Sequence, residues 1–367
     1  MNKFGFIGHP QSVEHFLKMS GFWEVFLRKI SPYKIKSLMY KLPPFNYNLM
    51  RIKSQLGIEA CGNGIILPLL PEQIILLGEE QALNKIEQAV RIATRLGARV
   101  VGLGGFTSVV GDEGVTLSKR LSVPLTSGNT YPAYLAIEGI KKAASLFELD
   151  LRELTATIIG ATGDIGSICS KILSKKVKKI YIVARKENKL NDFKNTLTKF
   201  GTAEICVPNS VDEAISVSDV ILTATTSISG LVDPLKLKPG AIVCDVGFPA
   251  NITRDVVRVR NDVFVFEGGL CSLPFIDDIN DKKFHKAMLS KNCVYGCLGE
   301  TILLCLDQKF ESFSIGRGNI TEEKVDEIGR ISKKHGFGLS KFFCGYKIYD
   351  DKDIDSIKSS IQVKNGK

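Results

Sequence analysis

The sequence predicts an α/β protein: a doubly wound parallel sheet, preceded by an N-terminal α/β domain and followed by a C-terminal helical segment. Three observations carry this. Six short apolar runs, "TATIIG", "KKIYIVA", "AEICV", "SDVILTAT", "AIVCDVG" and "VFVFEGG", follow one another between Thr155 and Gly269, separated by helix-length or loop-length stretches. Continuous apolar runs of that length are what strands covered by helices on both faces require. Upstream, a helical pattern passes directly into an apolar strand and a glycine turn, the same layered rhythm. Finally, 367 residues that are 44% hydrophobic and 24% charged can bury two cores. The pattern divides the chain into 1–150, an N-terminal α/β domain; 151–289, the parallel sheet; 290–345, C-terminal helices; and 346–367, a polar Lys-rich tail expected to be mobile.

Taken in order, "KFGFIGH" is a short apolar strand that delivers His9 and the following loop to an edge or cleft. In "EEQALNKIEQAVRIATRLG", Leu83, Ile86, Val90, Ala93 and Leu96 recur at helical spacing and Gly97 stops the helix. "ARVVGLGGFTSVVG" is then a buried strand and a glycine-rich turn, and "GNTYPAYLAIEGIKKAASLFELDL" opens a second helix just after Gly128. The domain boundary is expected near Asp150, where the six-run pattern begins.

Composition sets the surroundings. No stretch of eighteen apolar residues and no signal-peptide pattern is present, so a cytoplasmic address is the simplest expectation. Thiols there stay reduced, and nine cysteines do not suit a disulfide framework. Cys293, Cys297 and Cys305 lack both the paired short spacing and the nearby histidines of a zinc site, so no metal is expected. The net charge of +10 is uneven: from Lys18 to Lys53, eight Lys or Arg face the single acid Glu24, interleaved with aromatic and aliphatic residues. Such a stretch suits nucleic acid, an anionic membrane surface or an acidic protein partner, or simply a solvated basic face.

The first strand of the six-run pattern leads into "GATGDIG", in which Gly160, Gly163 and Gly166 bracket Ala161, Thr162, Asp164 and Ile165. Glycines there let the backbone approach a pyrophosphate, and the helix N-terminus beyond offers free N–H groups and a positive dipole. Strand, glycine triplet, helix and second strand come in the order of a Rossmann nucleotide-binding domain. The second strand ends "IVARKENK", so Arg185 and Lys186 stand where an NAD enzyme usually carries a carboxylate. Cations at that position suit a 2′-phosphate, and NADPH is the expected cofactor.

"SKNCVYGCLGETILLCL" is expected to be a helix beginning near Ser290 or Asn292, which would place Cys293, Cys297 and Cys305 on nearly one face. Spacing does not choose among them. Cys297 lies between Gly296 and Gly299, and glycines cost helix stability, which suggests a close approach beside this thiol. A first-turn position favours thiolate, whereas Glu300 three residues on opposes it. An inert, buried role remains open for each of the three.

The segments "FGFIGHPQSVEH", "LGGFTSVV", "TSGNTYPAY", "GATGDIGS", "YGCLGETILL", "GRGNITEEKVDEIG" and "KKHGF", in unbroken order from Lys3 to Phe337, together resemble the long-chain fatty acyl-[acyl-carrier-protein] reductases best known from cyanobacteria. The resemblance implies reduction of an acyl thioester to a fatty aldehyde with NADPH, an acyl-binding role for residues 1–150, and Cys297 as nucleophile. It implies His9 as candidate proton donor, with His15 and His285 behind it, and Gly104, Gly105, Phe106, Asn129 and Thr130 as the substrate-side turns that are candidates for stabilising the oxyanion. It also supplies partners for the basic stretch: an acidic acyl carrier protein, with acyl-CoA as the other carrier, and no nucleic acid, while the apolar residues there suit equally the lining of an acyl tunnel or a peripheral membrane contact. The segment from Phe22 to Pro44 and the tail after Phe337 match that family weakly. Two other readings use the same motifs: an oxidoreductase resembling shikimate dehydrogenase, which needs no cysteine, and a silent NADPH-binding sensor or docking module.

Overall fold

A computed structural model describes residues 2–226, 230–252, 255–274, 292–345 and 347–365. Contacts group the chain into two units, 1–131 with 271–319 and 327–338, and 132–270 with 320–326 and 339–367.

The first unit is built on a five-stranded sheet of β1 (Asn2–Gly8), β2 (Phe45–Lys53), β3 (Glu59–Ile66), β4 (Val100–Leu103) and β5 (Leu125–Thr126), in the order β2-β3-β1-β4-β5. Only the β2–β3 pair is antiparallel. The predicted helix is present as Glu79–Arg95, and its Leu83, Ile86, Ala89, Val90 and Ala93 are buried with Ile7, Ile65, Val101 and Leu103 of the sheet. The sequence reading does not contain β2 and β3, because Asn, Arg and Lys alternate with the apolar residues of β2 and glycines interrupt those of β3. Gly62 is needed where the Phe4 ring lies 2.3 Å from the position a Cβ would take.

The second unit holds all six expected strands: β6 (Thr155–Ile159), β7 (Lys179–Val183), β8 (Glu204–Cys206), β9 (Val220–Thr223), β10 (Ile242–Asp245) and β11 (Phe264–Glu267). They form one sheet in the order β11-β10-β9-β6-β7-β8, every pair parallel. This is the strand order of a Rossmann sheet, whose order reverses between β6 and β9.

Three expectations differ from the structure. The division falls between Tyr131 and Pro132 instead of near Asp150, because the helix Thr130–Leu146 buries Ala133, Ala136, Ile137 and Ile140 in the core of the second unit. Residues 290–345 do not form a separate helical part but are shared between the units. The tail after residue 346 is not loose: its helix Asp351–Asn365 buries Ile357 in the second core, with Ile354 and Ile361 packed beside it. Their spacing of three and four residues is a helical stripe hidden among charged neighbours.

Candidate active site

In a parallel sheet the C-terminal ends of neighbouring strands open on one edge, and here that edge collects the candidate residues of the first unit. His9 follows β1, the Gly104–Gly105–Phe106 turn follows β4, and Ser127 to Thr130 follow β5; these three strands are adjacent. The helix Gly296–Leu306 packs against the same strands, so closely that a Cβ on Gly102 would fall 1.9 Å from Thr301 Oγ1. A Cβ on Gly128 would fall 2.5 Å from that of Cys297. Gly128, with φ of +75°, is therefore required twice, by its left-handed backbone and by the thiol-bearing residue against it.

The cysteine helix starts later than expected. Cys293–Tyr295 is a short strand, extended Tyr295 is the N-cap, and Cys297 is the second helical residue. Ser290 lies outside the described residues, as does His285, and Asn292 precedes the strand. Cys293 is thus buried on a strand and not on the face of Cys297, while Cys305 is fully buried within the helix. Gly299 serves packing: a Cβ there would lie 2.6 Å from Cys271 Sγ and 3.1 Å from the Tyr131 ring. The close approach at the thiol comes from Gly128 instead. All nine cysteines are free, and no cluster of three or more His, Cys, Asp or Glu able to hold a metal occurs among the described residues.

Cys297 is half-buried. Loss of water pushes its thiol up to about 12, and the nearby Glu300 adds to the rise. Backbone N–H groups of Leu298, of Cys297 itself and of Gly105 lie near the thiol and oppose the shift. The thiol is therefore protonated near neutral pH in this form, but three backbone amides and a helix N-terminus already face any negative charge that develops there.

His9 holds one of those donors in place. Its Nδ1 bonds to the Pro10 carbonyl at 3.1 Å, and its Nε2 accepts from the Phe106 N–H at 3.0 Å. The ring is therefore the neutral tautomer protonated on Nδ1. Burial lowers its pKa from 6.5 to about 4. Gly105, one residue before Phe106, has φ 58° and ψ −132°, a conformation essentially restricted to glycine.

Glu300, which the sequence marks only as an unfavourable charge, is a structural hub. It is fully buried and accepts from Thr126 Oγ1, from Ser314 Oγ at 2.6 Å and from the Tyr131 N–H at 2.8 Å. Burial raises its pKa despite these bonds. It thereby ties the cysteine helix to the start of the helix Thr130–Leu146, where Thr130 Oγ1 meets Ser314 Oγ at 2.5 Å. Asn129 makes a long contact, 3.5 Å, from Nδ2 to Glu113 Oε2. Burial of Glu300 among Thr and Ser is what the sequence could have signalled, through "LTSGNT" and "FSIG".

In the second unit the glycine turn sits at the switch point of the sheet. Gly160 has φ of +89°, and a Cβ on it would lie 2.4 Å from the Ala224 carbonyl that follows β9. A Cβ on Gly166 would lie 2.1 Å from the Gly160 carbonyl, so the helix Asp164–Ser174 can close onto the turn only with glycine there. Gly163 is its N-cap, Ala161 and Asp164 are buried, and Thr162 and Ile165 are half-buried. Gly160 and Ala161 N–H both bond to the Val183 carbonyl, fixing the turn to the end of β7. Two residues further, Arg185 and Lys186 are exposed, and neither has an ion-pair partner among the described residues. The turn leaves the room a pyrophosphate needs and the two cations fit a 2′-phosphate. Across the switch point, Asp245 at the end of β10 accepts from Thr223 Oγ1 and from the N–H groups of Gly247, Asn251 and Ile252. Asn251 in turn bonds both the N–H and the carbonyl of Thr225. The sequence reading did not single out this bracing.

A glycine turn at the switch point of a six-stranded parallel sheet, with unpaired cations after its second strand, defines the second unit as a Rossmann-type domain suited to NADP. Residues 141–267 match the family of shikimate / quinate 5-dehydrogenases. Over 91% of its length the chain is similar to the long-chain acyl-[acyl-carrier-protein] reductase of Synechococcus elongatus, at 28% identity and covering 98% of that protein, so the resemblance seen in the motifs extends well beyond them. It is 29% identical, again over 91% of its length, to the aminotransferase PigE of a Serratia species, of which it spans 39%. Similarity at 23% identity extends to glutamyl-tRNA reductase of Cyanophora paradoxa, over 71% of this chain and 56% of that one. Among the described residues no helix is long and apolar enough to cross a membrane.

Proposed function

We propose that the protein reduces a long-chain fatty acyl thioester, carried by acyl carrier protein or coenzyme A, to the fatty aldehyde with NADPH through an acyl-enzyme on Cys297. The observation that carries this reading is the place of Cys297 in the first turn of its helix, beside the Leu298 and Gly105 N–H groups and with its backbone and Cβ against Gly128. In the first half-reaction Cys297 Sγ bonds to the thioester carbonyl carbon, the bond to the carrier sulfur breaks, and the thiol proton leaves with the carrier thiol. The amide donors stabilise the negative charge on the tetrahedral intermediate. For the second half-reaction, Gly160 to Gly166 would hold the pyrophosphate of NADPH and Arg185 and Lys186 its 2′-phosphate, and the bound nucleotide would supply the hydride that reduces the acyl carbon. Cleavage of the Cys297–acyl bond then releases the aldehyde and, with one proton taken up, restores the thiol. With both ring nitrogens on backbone groups, His9 acts as the post that fixes the Gly105–Phe106 turn and not as the proton donor. Gly104, Asn129 and Thr130 complete the turns on the substrate side. A cytoplasmic setting, where thiols stay reduced, belongs to the same reading.

Incubation with an acyl-carrier thioester in the absence of NADPH tests it. Intact mass should show one acyl adduct, mapped to Cys297 and absent from Cys297→Ala. No adduct while NADPH still binds would overturn the acyl-enzyme. The match of residues 141–267 to shikimate / quinate 5-dehydrogenases favours a second reading, reduction of a small carbonyl without a covalent intermediate. Full activity of Cys297→Ala would select it.

A further inference from the structure

Residues 13–41 fold as three short helices, Val13–Met19, Glu24–Leu27 and Pro32–Lys41, in the first unit. Their inward side chains Phe16, Leu17, Ile35 and Met39 form a small buried cluster with Leu70. The outward side is also apolar. Trp23 is 64% exposed, Val25 67%, Phe26 54% and Tyr33 82%. Tyr33 and Tyr40, seven residues apart, stand on one side of their helix, away from Ile35 and Met39. The local acids are already engaged: Arg28 takes Glu14 and Glu24, and Lys36 takes Glu72. Lys29, Lys34 and Lys41 are left with no ion-pair partner among the described residues.

We infer that this helical lobe is a docking surface for an anionic lipid bilayer. Side chains this exposed do not line a closed acyl tunnel. An acidic protein would be met by charge, yet Trp23, Val25, Phe26 and Tyr33 present mostly apolar surface, which a carboxylate-covered partner leaves wet. Amphipathic aromatic rings beside unpaired lysines are the composition that settles at a headgroup layer, with the rings at the boundary and the ammonium groups on lipid phosphates. The inference does not depend on the acyl-thioester reading, since it requires no chemistry.

Trp23 is the single tryptophan of the chain, so its emission reports on this lobe alone. With phosphatidylcholine vesicles containing phosphatidylglycerol, emission of the full-length protein should shift to the blue and be quenched by brominated acyl chains, while pure phosphatidylcholine has a much smaller effect. The triple variant Lys29→Glu, Lys34→Glu, Lys41→Glu should lower partitioning onto the phosphatidylglycerol vesicles about a hundredfold. Val25→Ser with Phe26→Ser should lower it about tenfold. Both variants lie outside the candidate active site, so NADPH binding and the melting temperature should match the unsubstituted protein, which shows that they fold. Unchanged Trp23 emission with phosphatidylglycerol vesicles at low salt would overturn the inference. So would an emission change produced by acyl carrier protein and by no vesicle.

Discussion

A neutral imidazole that props up the Gly105 turn makes the candidate site sensitive to acid through its scaffold. The His9 pKa is depressed from 6.5 to about 4, so its contribution to stability is fully present above 6.5 and is lost as pH falls from there through 4. At about 1.4 kcal/mol per pH unit the loss amounts to roughly 3 kcal/mol. His9→Asn, which cannot titrate, should show a shallower fall in melting temperature between those pH values, measured by circular dichroism. Cys297 carries the opposite sign. Its thiol, held near 12 by burial and by Glu300, should react with iodoacetamide slowly at pH 8 in the free protein and faster as pH rises. Glu300→Gln keeps an acceptor for the Tyr131 N–H and removes the charge, so the alkylation profile should move to lower pH. An unmoved profile would mean that Glu300 does not set the thiol.

At the scale of elements, the turn after β6 and the cations after β7 make one nucleotide grip, and Arg185 is the part that should discriminate. Arg185→Ala should raise the KM for NADPH about tenfold, the worth of one charge-assisted phosphate contact, and leave that for NADH nearly unchanged in steady-state assays. Equal losses for both nucleotides would place Arg185 outside the 2′-phosphate site. This element was legible in sequence because glycine is demanded by the backbone itself, at Gly160 by positive φ and at Gly166 by contact with a carbonyl. The six strands were legible for a related reason: strands covered on both faces need unbroken apolar runs. Other parts depend on tertiary partners. The start of the cysteine helix follows from Cys293–Tyr295 joining a sheet, which no N-cap preference reveals. The Glu300 hub joins residues 126, 131 and 314 through burial, and the same carboxylate in sequence reads only as a charge that opposes the thiolate.

At the scale of the whole molecule, the chain passes between its two units repeatedly, so neither unit is a continuous segment. The nucleotide-binding unit therefore depends on residues far beyond its sheet. Phe342 packs edge-on to Phe264 at 5.1 Å, Tyr349 lies 4.5 Å from the same ring, and the Tyr349 hydroxyl donates to the Val265 carbonyl at 2.7 Å. Ile357 is buried in that core, and Ile361 lies where a Cβ on Gly240 would fall 2.6 Å away. Truncating Ile357 to alanine should cost about 2–4 kcal/mol, the usual range for a buried aliphatic side chain. A chain ending at residue 346 loses Tyr349, Ile357 and Ile361 together, and the flank of β11 should open to water. Hydrogen exchange should then speed up in β10 and β11 and stay unchanged in β1 to β5, with a weaker grip on NADPH as the functional consequence. NADPH at a hundred times its dissociation constant should return about 2.7 kcal/mol to the truncated chain, because it binds only the folded unit. If exchange in β10 and β11 is indifferent to the truncation, the terminal helix is an appendage, and the second core closes without it.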